Sequence, residues 1–142
     1  MTEAEFEIFL DEASDCFLQA DFELWASLVT LPFTMITATG PVVLSTLEEL
    51  RDHFDRYIAA AAGLRLDLIS RRQISLEGCD DGTFIGTYET ELLSRGKRVA
   101  ALYTASVLLH RRGGKWKMST VLNARGNYDW LVIPHSRLDG SV

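Results

Sequence analysis

TFIGTYETELLSRGKRVAALYTASVLLHRRGGKWKMSTVLNAR, residues 83–125, decides the fold. Apolar and polar residues alternate along it with the period of two that marks half-buried strands. Two short glycine-containing pairs, Arg95-Gly96 and Gly113-Gly114, cut it into three segments. Such pairs suit two-residue hairpin loops, whose central residues take positive φ. The stretch therefore reads as an antiparallel meander with strands at 83–93, 98–110 and 115–125. A further strand at 65–77 precedes it across the Asp80-Asp81-Gly82 turn. A bulge is expected there at Arg71-Arg72, where alternation fails.

Loop length sets which side chains meet. Two-residue loops at both turns place Leu92 opposite Val99, Thr90 opposite Ala101, Tyr88 opposite Tyr103 and Gly86 opposite Ala105. They also place Leu109 opposite Met118, Val107 opposite Thr120, Ala105 opposite Leu122 and Tyr103 opposite Ala124. One face is then almost wholly apolar, with Tyr88, Tyr103, Thr90 and Thr120 as its polar handles. The other carries Glu89, Glu91, Ser106, His110 and Arg125, but also Ile85, Leu93, Leu102, Leu108 and Val121. That many aliphatics points to a covered face, most simply in a homodimer. Glu89 and Arg125 are placed to pair across Leu102.

Upstream, the period changes to that of helices. Thr2 and Glu5 match a capping box, and Phe6, Phe9, Leu10, Ala13, Cys16 and Phe17 follow at helical spacing over about 2–20. Asp21 can cap a second, short helix bearing Phe22, Trp25, Leu28 and Val29, with Pro32 as its stop. Short strands at 33–37 and 42–44 flank the Gly40-Pro41 turn. Ser45 and Thr46, with Glu48 and Glu49, open a third helix whose stripe is Leu47, Leu50, Phe54, Ile58 and Ala61 and whose end is Gly63.

A chain of 142 residues, 47% hydrophobic and 24% charged, suits one globular domain. We assign it to 1–126. The tail, 127–142, holds Trp130, Leu131, Val132 and Ile133 and is expected to pack on the domain or on a partner subunit. A net charge of −6 argues against a nucleic-acid partner. Arg71-Arg72 and Arg111-Arg112 read as solvated strand ends. Cys16 and Cys79 make no disulfide framework, which fits a reducing, cytoplasmic setting. The acidic N-terminus is unlike a signal peptide, and no apolar run approaches the roughly 20 residues of a membrane span.

Two amphipathic helices, a short hairpin, a third helix and a long meander occur in that order, which resembles the nuclear transport factor 2-like superfamily, SnoaL-like branch. The likeness rests on Asp21-Phe22-Glu23-Leu24-Trp25, on Ser45-Thr46-Leu47-Glu48-Glu49-Leu50 and on Gly114-Lys115-Trp116-Lys117-Met118. It implies an α+β fold: a cone-shaped, curved antiparallel sheet with three helices packed against it. The steroid isomerases of that superfamily use a carboxylate base, a protonated carboxylic acid and a tyrosine. The matching positions here fall near Thr37, near Ser106, and near Cys16 or Phe17, none of which keeps the required group. The cyclase and epoxide-hydrolase branches need pocket carboxylates, yet Glu89 and Glu91 lie on the opposite face.

His53, between Leu50 and Tyr57 on the third helix, is the remaining acid–base candidate, beside the phenols of Tyr88 and Tyr103. The expected pocket is lined by Trp25, Phe33, Met35, Tyr57 and Met118 together with Tyr88, Thr90, Tyr103, Thr120 and Leu122. No histidines and carboxylates share metal-ligand spacing, and no nucleophile elbow or phosphate loop is present, so neither metal nor cofactor is expected. Two readings stay open. One is a small-molecule-binding domain, or an enzyme, acting on an apolar ligand that bears oxygen. The other is a non-catalytic dimerisation or scaffold module with a filled core. A cavity of roughly 300 Å3 or more fits the first, and a packed interior the second.

Overall fold

The structure is a computed structural model and describes residues 1–123. Each helix starts where a side chain satisfies its first free N–H groups. In α1 (Glu3–Leu18) the Thr2 hydroxyl accepts from the Glu5 N–H at 3.1 Å, and the Glu5 carboxylate accepts from the Thr2 N–H at 2.8 Å. Asp21 caps α2 (Phe22–Ser27), accepting from the Leu24 N–H at 3.1 Å. Thr46 and Glu49 form a second capping box on α3 (Leu47–Gly63). The buried stripe of α3 is Leu50, Phe54, Tyr57 and Ala61. Leu47, expected on that stripe, is 56% exposed, because it sits one turn before the helix meets the core.

The strands are β1 (Val29–Thr37), β2 (Gly40–Leu44), β3 (Leu68–Gly78), β4 (Phe84–Ser94), β5 (Lys97–Arg98), β6 (Tyr103–Arg112) and β7 (Lys115–Leu122). They form one curved, unclosed sheet in the order β2-β1-β7-β6-β4-β3, with β5 paired to β4. The β1–β7 pair is parallel and the others antiparallel, so the sheet is mixed. The helices cover one face, and Phe6, Phe17, Phe33, Met35, Tyr57 and Leu109 are buried between the layers. Pro32 does not stop a helix. α2 has already ended at Ser27, and Pro32 lies inside β1, where the β7 register shifts between Val29 and Thr34. A residue without an N–H is tolerated at such an irregularity.

Both hairpin loops have two residues. Arg95 and Gly96 have φ of 51° and 76°, Gly113 and Gly114 of 58° and 78°, the left-handed pairs that such loops need. Away from the turns the register departs from the simple count twice. Residues 99–102 leave the ladder after β5, and β6 rejoins two positions on. Tyr88 therefore faces Ala105, Gly86 faces Val107 and Thr90 faces Tyr103, in place of Tyr88–Tyr103, Gly86–Ala105 and Thr90–Ala101. An offset of two keeps every side chain on its expected face.

The second departure has an offset of one. Leu109 faces Met118 as expected, but Leu108 faces Thr120, Val107 faces Val121 and Ser106 faces Leu122, because Ser119 is bulged out. The expected Val107–Thr120 and Ala105–Leu122 pairs do not form. An odd insertion inverts the faces beyond it. Val121 is 6% exposed and Leu122 49%. The parallel neighbour explains the choice, since Val121 lies beside the buried Met35. The Tyr103–Ala124 pair, the Glu89–Arg125 pair, His135 and the tail fall outside the described residues.

In β3 the bulge is at Ile74, between Gln73 and Ser75, and not at Arg71-Arg72. The two arginines are not both solvated strand-end residues. Arg72 points outward and pairs with Glu89 at 3.0 Å, while Arg71 points inward. Glu91 also lies outside, paired with Arg98 at 2.8 Å. Ile85, Leu102 and Leu122 stand exposed.

Candidate functional site

A polar row crosses the inner face. Arg71 on β3 faces Thr90 on β4, and Thr90 faces Tyr103 on β6. Tyr88 lies two residues from Thr90, diagonal to Arg71, within reach of a long side chain. The Arg71 Nη1 donates to the Ser14 hydroxyl at 2.7 Å, and that hydroxyl donates to the Leu10 carbonyl at 3.0 Å. The guanidinium carbon stands 6.0 Å from the Tyr88 ring centre.

Beside this row, between α1 and the sheet, is a cavity of about 30 Å3. It has room for one or two waters, an order of magnitude less than a typical ligand pocket. Its walls include Phe9, Phe17, Trp25, Tyr88 and Met118, all buried. Arg71 is the most exposed of the described lining residues, so it marks where the cavity meets the surface.

Burial pushes the Tyr88 phenol up to about 12, although the Arg71 charge lowers it. Burial first, and then Tyr103, holds the Tyr57 phenol well above its ordinary value. Burial likewise pushes the Cys16 thiol up to about 12. Burial is also the strongest single influence on Arg71, where it opposes the charge. Tyr57, Tyr103, Tyr88 and Cys16 together outweigh it and keep the guanidinium above its ordinary value. At neutral pH these partners carry no charge. Among the described residues no carboxylate forms an ion pair with Arg71. Thr90 is fully buried and its hydroxyl has no hydrogen-bond partner among the described residues.

Of the residues expected to line a pocket, Trp25, Tyr88 and Met118 reach the cavity. Thr90 and Tyr103 belong to the polar row. Phe33 and Met35 are packed core, and Tyr57 stacks on Phe17 with ring centres 4.0 Å apart. Thr120 and Leu122 turn to the outer face. His53 is half-buried on α3 and does not line the cavity. Burial first, then Arg56, lowers its pKa. Ser106 is not an interior position, since it hydrogen-bonds Thr87 on the outer face at 2.7 Å. Thr37 bonds the Gly40 carbonyl at 2.8 Å. Arg71 was absent from the expected pocket. Counting by two from the buried Ile69 would have turned it inward.

Among the described residues no group of three His, Cys, Asp or Glu could hold a metal ion, and no helix is long and apolar enough to cross a membrane.

The sequence matches no family model and no curated protein. Solved structures do match its shape. Aln2 from a Streptomyces species is similar with a TM-score of 0.66 and 18% identity, over 84% of this chain and 86% of that one. A protein of unknown function from Mycobacterium tuberculosis gives 0.63 and 13%, over 95% and 89%. Rd1NTF2_04 with long sheet gives 0.57 and 12%, over 82% and 96%. At such identities a shared shape is what is established, not an activity. Three helices laid on one face of a curved mixed sheet, in this order and with these likenesses, give the chain the nuclear transport factor 2-like fold.

Proposed function

We propose that this is a SnoaL-like small-molecule-binding domain that holds one oxygen of an otherwise apolar ligand. The observation that supports it is the buried Tyr88 phenol on a cavity wall shared with Phe9, Phe17 and Trp25, with the Thr90 hydroxyl, which has no described partner, two residues away on the same face. A phenol held near 12 stays protonated and donates. No described group lining the cavity is a base near neutral pH, and His53 stands apart, so binding and orientation fit better than proton transfer. With about 30 Å3 inside, only the polar end of the ligand enters, and its body stays at the rim. Titration of the full chain with benzyl alcohol, acetophenone and benzoate, followed by tryptophan emission, tests this. Saturable binding is expected, weakened about tenfold in Tyr88→Phe by loss of one hydrogen bond. If none of the compounds shifts the emission, or Tyr88→Phe binds as well, the reading falls.

The size of the cavity favours a second reading, a homodimeric scaffold whose interior is nearly filled. The outer face, with Ile85, Leu102 and Leu122 exposed, would be its contact surface. Sedimentation at micromolar concentration separates the two. A dimer that Leu122→Lys dissociates supports this reading, and a monomer removes it.

A further inference from the structure

We propose that Arg71 makes the inner site selective for small monocarboxylates with an apolar body. This inference rests on the binding reading and names its ligand class. Two polar side chains line the cavity, a guanidinium, which has no acceptor, and a protonated phenol, and the Thr90 hydroxyl, without a described partner, stands beside Arg71 in the polar row. Ser14 cannot supply the missing counter-charge. Its oxygen accepts from Arg71, and its proton is committed to the Leu10 carbonyl. Glu89 and Glu91 are held on the far face by Arg72 and Arg98. A cation drawn from water lacks its complement among the described residues, and a planar carboxylate fits the fork of an arginine.

The charge must also match. One guanidinium meets one negative charge, whereas a phosphate monoester carries about −1.5 to −2. No second described cation lines the cavity, and the chain as a whole, at −6, repels polyanions. The carboxylate therefore sits at Arg71, where the cavity meets solvent, with Thr90 and Tyr88 as further donors. The apolar body stays outside, at the mouth of the cavity.

Isothermal titration of the full chain tests this with benzoate and hexanoate as acids, benzyl alcohol and methyl benzoate as neutral probes, and inorganic phosphate as a second anion. The acids are expected to bind at least tenfold tighter than the neutral probes, and phosphate not to compete. Arg71→Met is expected to abolish the preference for acids over neutral probes. Thr90→Val, which keeps the shape, is expected to weaken the acids severalfold. Circular dichroism establishes folding, and Arg71→Lys, with its charge but not its fork, replaces Arg71→Met if the latter unfolds and is expected to bind acids weakly. Equal affinity for acids and neutral probes, an acid preference that survives Arg71→Met, or competition by phosphate overturns the selectivity but leaves the binding reading standing. If no probe binds, both fall.

Discussion

Arg71 on β3 and Ser14 on α1 are joined by a 2.7 Å hydrogen bond, 57 residues apart in sequence, which ties the first helix to the sheet. The acceptor is buried, and the donor is charged. Ser14→Ala removes that acceptor and is expected to destabilise the protein by about 2 kcal/mol, as for other hydrogen bonds to charged groups. Urea unfolding measures this. A change within about 0.5 kcal/mol would show the bond to be incidental.

Gly86 has a different reason to be what it is. A Cβ placed there would stand 2.4 Å from the tip of the Phe6 ring. Gly86→Ala is expected to cost about 1–3 kcal/mol through overpacking. Adding Phe6→Leu to it should cost less than the two single changes summed, because the smaller side chain relieves the clash. Strict additivity in thermal melts would argue against the contact.

The β7 bulge can be read from two adjacent positions. With Ser119 bulged, Val121 is buried and Leu122 exposed. Val121→Asp is expected to cost about 3–5 kcal/mol, because a charge enters the core unpaired. Leu122→Asp is expected to stay within about 0.5 kcal/mol in a monomeric state. The reverse order of the two effects would mean a strand with no bulge.

Histidine sets the response to mild acid. Burial lowers the His53 pKa below 6.5, and lowers that of His110 in the same direction. The unfolded chain then takes up these protons more readily than the folded one. Stability is fully present above about 6.5 and is lost as the pH falls through that value toward the lower folded values. Urea midpoints taken from about pH 7.5 to about pH 5.5 should decline, and His53→Gln should flatten the decline. A midpoint that rises on acidification would contradict the burial of both rings.

Local chemistry was readable from the residues alone. Thr2 with Glu5, Thr46 with Glu49 and Asp21 mark helix starts because the cap and the N–H it satisfies lie within three residues of each other. Arg95-Gly96 and Gly113-Gly114 mark reversals because left-handed backbone favours glycine, which each pair contains. From those turns, alternation places Tyr88, Thr90 and Tyr103 inside and Glu89 and Glu91 outside, and the structure keeps all five there. Tertiary structure decided what no local signal carries. The bulge at Ser119 answers to a strand more than eighty residues earlier, since Met35 holds Val121 in the core. The inward turn of Arg71 depends on where β3 bulges and on a serine offered by α1. Pairing between distant strands and helices settles such points, because one extra residue costs little locally yet inverts every side chain beyond it.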